Sequence, residues 1–148
     1  MLSRRRFIET ASLSLIALLT PFQAVAAWAS QAFKANSLDA AYLQLFNSTS
    51  FTATRKVQIV TPQTAKNPNA VPIKISANLP NVQSISIFIE TANSPLVATF
   101  QLSAATTPFV STRIKMVKTD VLIVVVKTAE KLYTNRKKIS LINNHCGS

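Results

Sequence analysis

Asp120-Val121-Leu122-Ile123-Val124-Val125-Val126-Lys127 holds six consecutive apolar residues, five of them β-branched. A run that is apolar at both parities has no face to give to water, so it predicts a central strand with each face covered. On either side of it the pattern falls into period two. Val71, Ile73 and Ile75 oppose Lys74 and Ser76, while Ile85, Ile87 and Ile89 alternate with Ser84 and Ser86. Ala98, Phe100 and Leu102 form a third set, and Val110, Thr112, Ile114 and Met116 oppose Ser111, Arg113 and Lys115 in a fourth. Such alternation predicts half-buried strands. Lys137 to Ile142 reads as a last strand, pairing with the central one across Glu130-Lys131.

Turn residues separate these runs at Asn67-Pro68-Asn69, Leu79-Pro80-Asn81, Asn93-Ser94-Pro95 and Thr107-Pro108. Short strands punctuated in this way predict an all-β fold, a two-sheet sandwich of immunoglobulin type. One helix precedes them. Ser37 caps it, Asp39 suits its first turn, and Leu38, Tyr42, Leu45 and Phe46 follow helical spacing. An open sandwich leaves bare edges that invite pairing with another chain; Lys56, Lys74 and Lys115 are candidates to blunt them, and a dedicated partner subunit would serve equally.

Composition narrows the function. The 148 residues include 16 Lys and Arg against 5 Asp and Glu, with one Cys, one His and one Gly. A 48% hydrophobic content at this length predicts one domain with a real core. One cysteine excludes an intrachain disulfide framework, and one histidine excludes two-histidine metal motifs. Scarce glycine argues against nucleotide-binding loops. Neither metal nor cofactor is expected, and the inventory argues against a self-sufficient enzyme. Basic residues are not interleaved with aromatics, so nucleic acid is a poor partner. Arg113 and Lys115 are candidates for a basic surface that meets a partner, or for ordinary solvated charge.

Residues 1–29 read as an address. Ser3-Arg4-Arg5-Arg6-Phe7-Ile8 precedes the short apolar run Leu13 to Leu19 and A-x-A sites that would be cut after residue 26 or 29. The run is too short to span a bilayer. S-R-R-x-F resembles the twin-arginine export motif, a route for proteins folded or assembled before export, and predicts a periplasmic location. Cleavage after residue 26 removes three basic residues and one acidic, leaving 13 and 4. The domain proper is then 30–142, followed by a C-terminal arm, 143–148.

That arm, Asn143-Asn144-His145-Cys146-Gly147-Ser148, holds the chain's lone thiol beyond the last strand pattern. An oxidising compartment penalises an idle thiol. Cys146 is thus a working nucleophile on a tether, an interchain disulfide, an incidental thiol, or a metal ligand beside His145. Extended, Asn143–Cys146 reaches about 10–14 Å, enough to enter another protein's cleft. His145, if protonated, favours the Cys146 thiolate; as an ordinary exposed terminal histidine it does nothing specific. A structural or adhesion-type secreted sandwich bridged through Cys146 is the competing reading.

Ser111-Thr112-Arg113-Ile114-Lys115-Met116, with Pro95-Leu96-Val97-Ala98 before it and Lys131-Leu132-Tyr133 after it, resembles the SoxY family of the bacterial thiosulfate-oxidising system. Leu79-Pro80-Asn81-Val82-Gln83-Ser84-Ile85, the leader and the near-terminal cysteine agree, and the likeness runs from about residue 57 to the end. The resemblance implies an immunoglobulin-like, non-catalytic sulfur carrier paired with a SoxZ-like β subunit. It places the covalent sulfur attachment on Cys146, as a cysteine S-thiosulfonate. It further implies a SoxAX-like haem enzyme that loads the thiol, a SoxB-like hydrolase that removes sulfate and, in some organisms, a sulfane dehydrogenase. The family arm is Gly-Gly-Cys-Gly-Gly. Here Asn143, Asn144 and His145 stand before the cysteine and Gly147 follows, so arm flexibility falls to Asn143, Asn144 and Gly147, since Asn tolerates left-handed backbone better than most residues. His145 is then a candidate modulator of the thiol.

Overall fold

The computed structural model describes residues 23–142, with side chains from residue 29. Two helices, α1 (Gln23–Lys34) and α2 (Leu38–Phe46), precede nine strands. These are β1 (Thr52–Ala53), β2 (Val57–Val60), β3 (Thr64–Ala65), β4 (Val71–Ala77), β5 (Val82–Ile89), β6 (Leu96–Gln101), β7 (Phe109–Ile114), β8 (Asp120–Thr128) and β9 (Leu132–Leu141). The larger sheet runs β1-β9-β8-β5-β6, with β3 also pairing β9; the smaller runs β2-β4-β7.

The run that is apolar on both faces is the middle strand, β8. Leu122, Val124 and Val126 enter the core between the sheets, where Ile73, Ile75, Ile85, Ile87 and Ile139 meet them. Ile123 and Val125 face the other way and are covered by Ala32, Ala41, Tyr42 and Leu45 of the helices. The molecule therefore has three layers: helices, large sheet, small sheet. Helix α2 begins as expected, with Ser37 extended (φ −139°, ψ 156°) and its hydroxyl accepting from the Ala40 N–H at 3.2 Å. It ends on Asn47 in the left-handed region (φ 52°), whose N–H donates to the Leu43 carbonyl.

Three expectations are corrected. Strand β5 is not half-buried, because Ser84, Ser86 and Phe88 are as buried as the isoleucines between them. The serines read as solvent-facing, but Ser86 and Thr99 share a 2.8 Å hydroxyl bond, which satisfies them away from water. Phe88 lies under α2, edge-on to Tyr42 with ring centroids 4.9 Å apart. Lys74 blunts no edge, since β4 is the middle strand of the small sheet; Lys56 and Lys115 flank the edge strands β2 and β7. And α1 is a second helix, running across both candidate cleavage points. Alanine, the strongest helix former, dominates that stretch, and fully buried Ala32 and Ala41 let the two helices approach closely.

The aromatic cluster perturbs one titrating group. Burial pushes the Tyr42 phenol from 10.0 up to about 12, with Arg136 opposing and Asp39 adding to the effect. The folded state thus holds this proton more tightly than the unfolded chain. The stability it confers is complete below pH 10 and is lost as pH rises towards 12. Of the two tyrosines, we expect ultraviolet titration to show Tyr42 ionising only near pH 12, and Tyr42→Phe to remove that phase.

Candidate functional site

Strand β9 has ten residues, eight of which pair antiparallel with β8, from Leu132–Lys127 to Ile139–Asp120. On its other side lie the short parallel segments β1 and β3. Side chains tie it to the small sheet as well: the Asn135 amide donates to the Val57 carbonyl at 2.6 Å, and the Lys137 ammonium to the Ile59 and Thr61 carbonyls at 3.4 and 3.2 Å. The last residues are held one by one. Ser140 N–H donates to the Gln63 carbonyl at 2.9 Å, Leu141 N–H to the Thr119 hydroxyl at 2.9 Å, and Ile142 N–H to the Ala65 carbonyl at 3.2 Å.

Strand β9 and Ile142 after it are thus held in place at one end of the large sheet. Asn143, Asn144, His145, Cys146 and Gly147 lie outside the described residues. The clamp formed by Gln63, Ala65 and Thr119 escaped the sequence reading, because a two-residue strand and a single threonine in a polar loop carry no periodic signal.

Arg113 and Lys115 are both exposed, but the fold gives them different surroundings. Arg113 lies on the outer face of the small sheet, opposite Pro72 and beside Lys74, over a shallow groove of about 280 Å³. Lys115 follows the end of β7 and borders a cavity of about 490 Å³ near the arm's root. Among the described residues no group of three or more His, Cys, Asp or Glu could hold a metal ion. No described helix is long and apolar enough to cross a membrane.

These features define a class: an immunoglobulin-like sandwich with helices on one outer face and a clamped strand β9, followed in the sequence by a segment that contains Cys146. The family model for sulfur oxidation protein SoxY matches residues 43–146. The sulfur carrier protein SoxY from Chlorobium limicola f thiosulfatophilum is 34% identical, with a TM-score of 0.66 over 72% of this chain and 97% of that one. This chain belongs to the SoxY family. The match begins inside α2, earlier than the sequence motifs suggest, and its last residue is Cys146. A superoxide reductase (neelaredoxin) from Ignicoccus hospitalis, 19% identical, shares the fold with a TM-score of 0.54 over 60% of this chain and 82% of its own. No curated protein matches.

Proposed function

We propose that the protein is a periplasmic, non-catalytic carrier that holds thiosulfate-derived sulfur on Cys146 and presents it to partner enzymes. The observation that carries this reading is the conjunction of a clamped β9 and a family match ending on the chain's one thiol. A thiolate forms S–S bonds that serine or lysine cannot, and those bonds are reversible. In the loading step the Cys146 thiolate joins the outer sulfur of thiosulfate, giving Cys–S–S–SO₃⁻ and two electrons, which a SoxAX-like haem enzyme accepts. A SoxB-like hydrolase then adds water. Sulfate and two protons leave, and a persulfide, Cys–S–S⁻, stays on the carrier. A sulfane dehydrogenase is the candidate for oxidising that remaining sulfur.

The held end of β9 supports this division of labour. A fixed root with a short tether raises the effective concentration of cargo at each partner while preventing its escape. A SoxZ-like β subunit would cover part of the sandwich, and Ser3-Arg4-Arg5-Arg6-Phe7 would export the chain by the twin-arginine route. Intact-mass measurement on protein from thiosulfate-fed cells tests the reading. Reductant-sensitive sulfur adducts are expected on Cys146. A covalent dimer as the resting species, with no sulfur adduct, would support the interchain-bridge alternative instead.

A further inference from the structure

Charge is unevenly placed on this molecule. Residues 48–119, which hold the whole small sheet, carry seven Lys and Arg and a single carboxylate, Glu90. All seven cations are exposed, whereas Glu90 is paired with Arg136, which lies opposite Ile123 on the helix side of the large sheet. Three of the seven gather where β9 ends. Lys66 follows Ala65 and Lys118 precedes Thr119, the two residues that accept from the Ile142 and Leu141 N–H groups. The Met116 N–H donates to the Pro68 carbonyl at 2.8 Å, which ties the loop carrying Lys115 to the loop carrying Lys66. Asp120 is close in sequence but is buried and fully engaged. Its Oδ2 accepts from Thr91 Oγ1 at 2.6 Å, and its Oδ1 from the Thr91 and Val121 N–H groups at 3.3 and 2.7 Å. Among the described residues the one ion pair is Arg136–Glu90, so none of Lys66, Lys115 and Lys118 has a carboxylate partner there.

Apolar side chains stand among these cations. Val117, between Lys115 and Lys118 in the sequence, is 86% exposed, and Ile142 is 43% exposed. An apolar centre within a charged rim is the anatomy of a protein-binding surface. Adsorption to a membrane calls for a broad apolar face, and two side chains do not make one. Like charges fixed on bonded loops also repel one another, a cost that a surface of opposite sign relieves.

We propose that this end of the molecule is a docking surface for acidic protein partners. Lys66, Lys115 and Lys118 steer a carboxylate-bearing surface onto the end of β9, and Val117 and Ile142 fill the centre of the contact. That the partners are enzymes acting on sulfur held by Cys146 rests on the carrier reading above; the charge they present here does not. A common acidic rim lets one carrier meet several otherwise different enzymes. Steering also gives fast encounter without a tight complex that would detain the carrier at each stop.

Binding kinetics test it, with thiosulfate left out. The mature chain carrying Cys146→Ala, purified from the periplasm with whatever subunits accompany it, is mixed with the SoxAX-like haem enzyme or the SoxB-like hydrolase of the same organism. Association is followed at low and at high salt. At low salt, Lys66→Gln, Lys115→Gln and Lys118→Gln together should slow association about tenfold and flatten its salt dependence. Lys56→Gln, Lys127→Gln and Lys131→Gln remove the same charge from exposed positions at the opposite ends of the two sheets, and should leave the rate within about twofold. Val117→Ser should speed dissociation while keeping the salt dependence. Equal slowing by the two triple variants would show that net charge alone acts, and would overturn the proposal. So would an unchanged rate in the first variant, or no binding of either enzyme by the chain with its lysines intact. Lysine-dependent binding seen only on phosphatidylglycerol vesicles would replace the protein partner with a membrane. Failure here leaves the carrier chemistry standing, because Cys146 takes no part in the binding measured. Missing sulfur adducts in cells would remove that chemistry and leave the measured rates as they are.

Discussion

Replacing Cys146 with alanine is expected to reduce thiosulfate turnover, in a mixture with the partner proteins, to the level seen without the carrier. Loss should be complete rather than graded, because no second thiol exists in the chain to take over. Stability should not change. The last core-packed residues among those described are Ile139 and Leu141, and the clamp that holds the strand end uses backbone groups of Ser140, Leu141 and Ile142. Thermal unfolding and association with a SoxZ-like subunit should therefore match the unaltered protein. Turnover that persists at a substantial fraction would mean that the sulfur travels elsewhere.

The opposite profile is expected for Phe88→Ala. Phe88 is fully buried, lies edge-on to Tyr42 and within 6.2 Å of the Phe46 ring, and joins the helices to the large sheet. Deleting such a ring costs about 3–5 kcal/mol, transfer and cavity terms together. Against a typical domain stability of about 5–15 kcal/mol, that is a large share. Denaturant unfolding should show a much lower midpoint, and the helices should be the first part to lose amide protection. Whatever fraction remains folded should still accept sulfur on Cys146, since the aromatic cluster belongs to the helix layer and not to the arm's root. A variant of near-normal stability would show that the helices contribute little to holding the sheet.

How much of this was legible in the sequence depends on whether a residue's surroundings are local. The β8 run announced a doubly covered strand because both parities are apolar. Its pairing with β9 followed from the short interval around Glu130 and Lys131, although β9 begins five residues earlier than its apolar pattern, at Leu132. The second face of β5 was hidden. Serine letters signal solvent unless a partner such as Thr99 is known, and that partner comes from strand pairing. Lys74 misled for a related reason: whether a strand is an edge is a property of the sheet, not of the strand. At the site, Cys146 stood out as a lone thiol past the last strand. The clamp at Thr119 and the cavity behind it arise where four separate segments meet, and nothing periodic marks any of them.

The central claim concerns which atom bears the sulfur. Thiosulfate carrying a radioactive label in its outer sulfur should be supplied with the loading enzyme, and the carrier then digested and its peptides separated without reductant. The account predicts label on the peptide containing Cys146, released in full by a thiol reductant and absent from Cys146→Ala. Label that resists reduction, lies on another peptide, or fails to appear while thiosulfate is being consumed would contradict it.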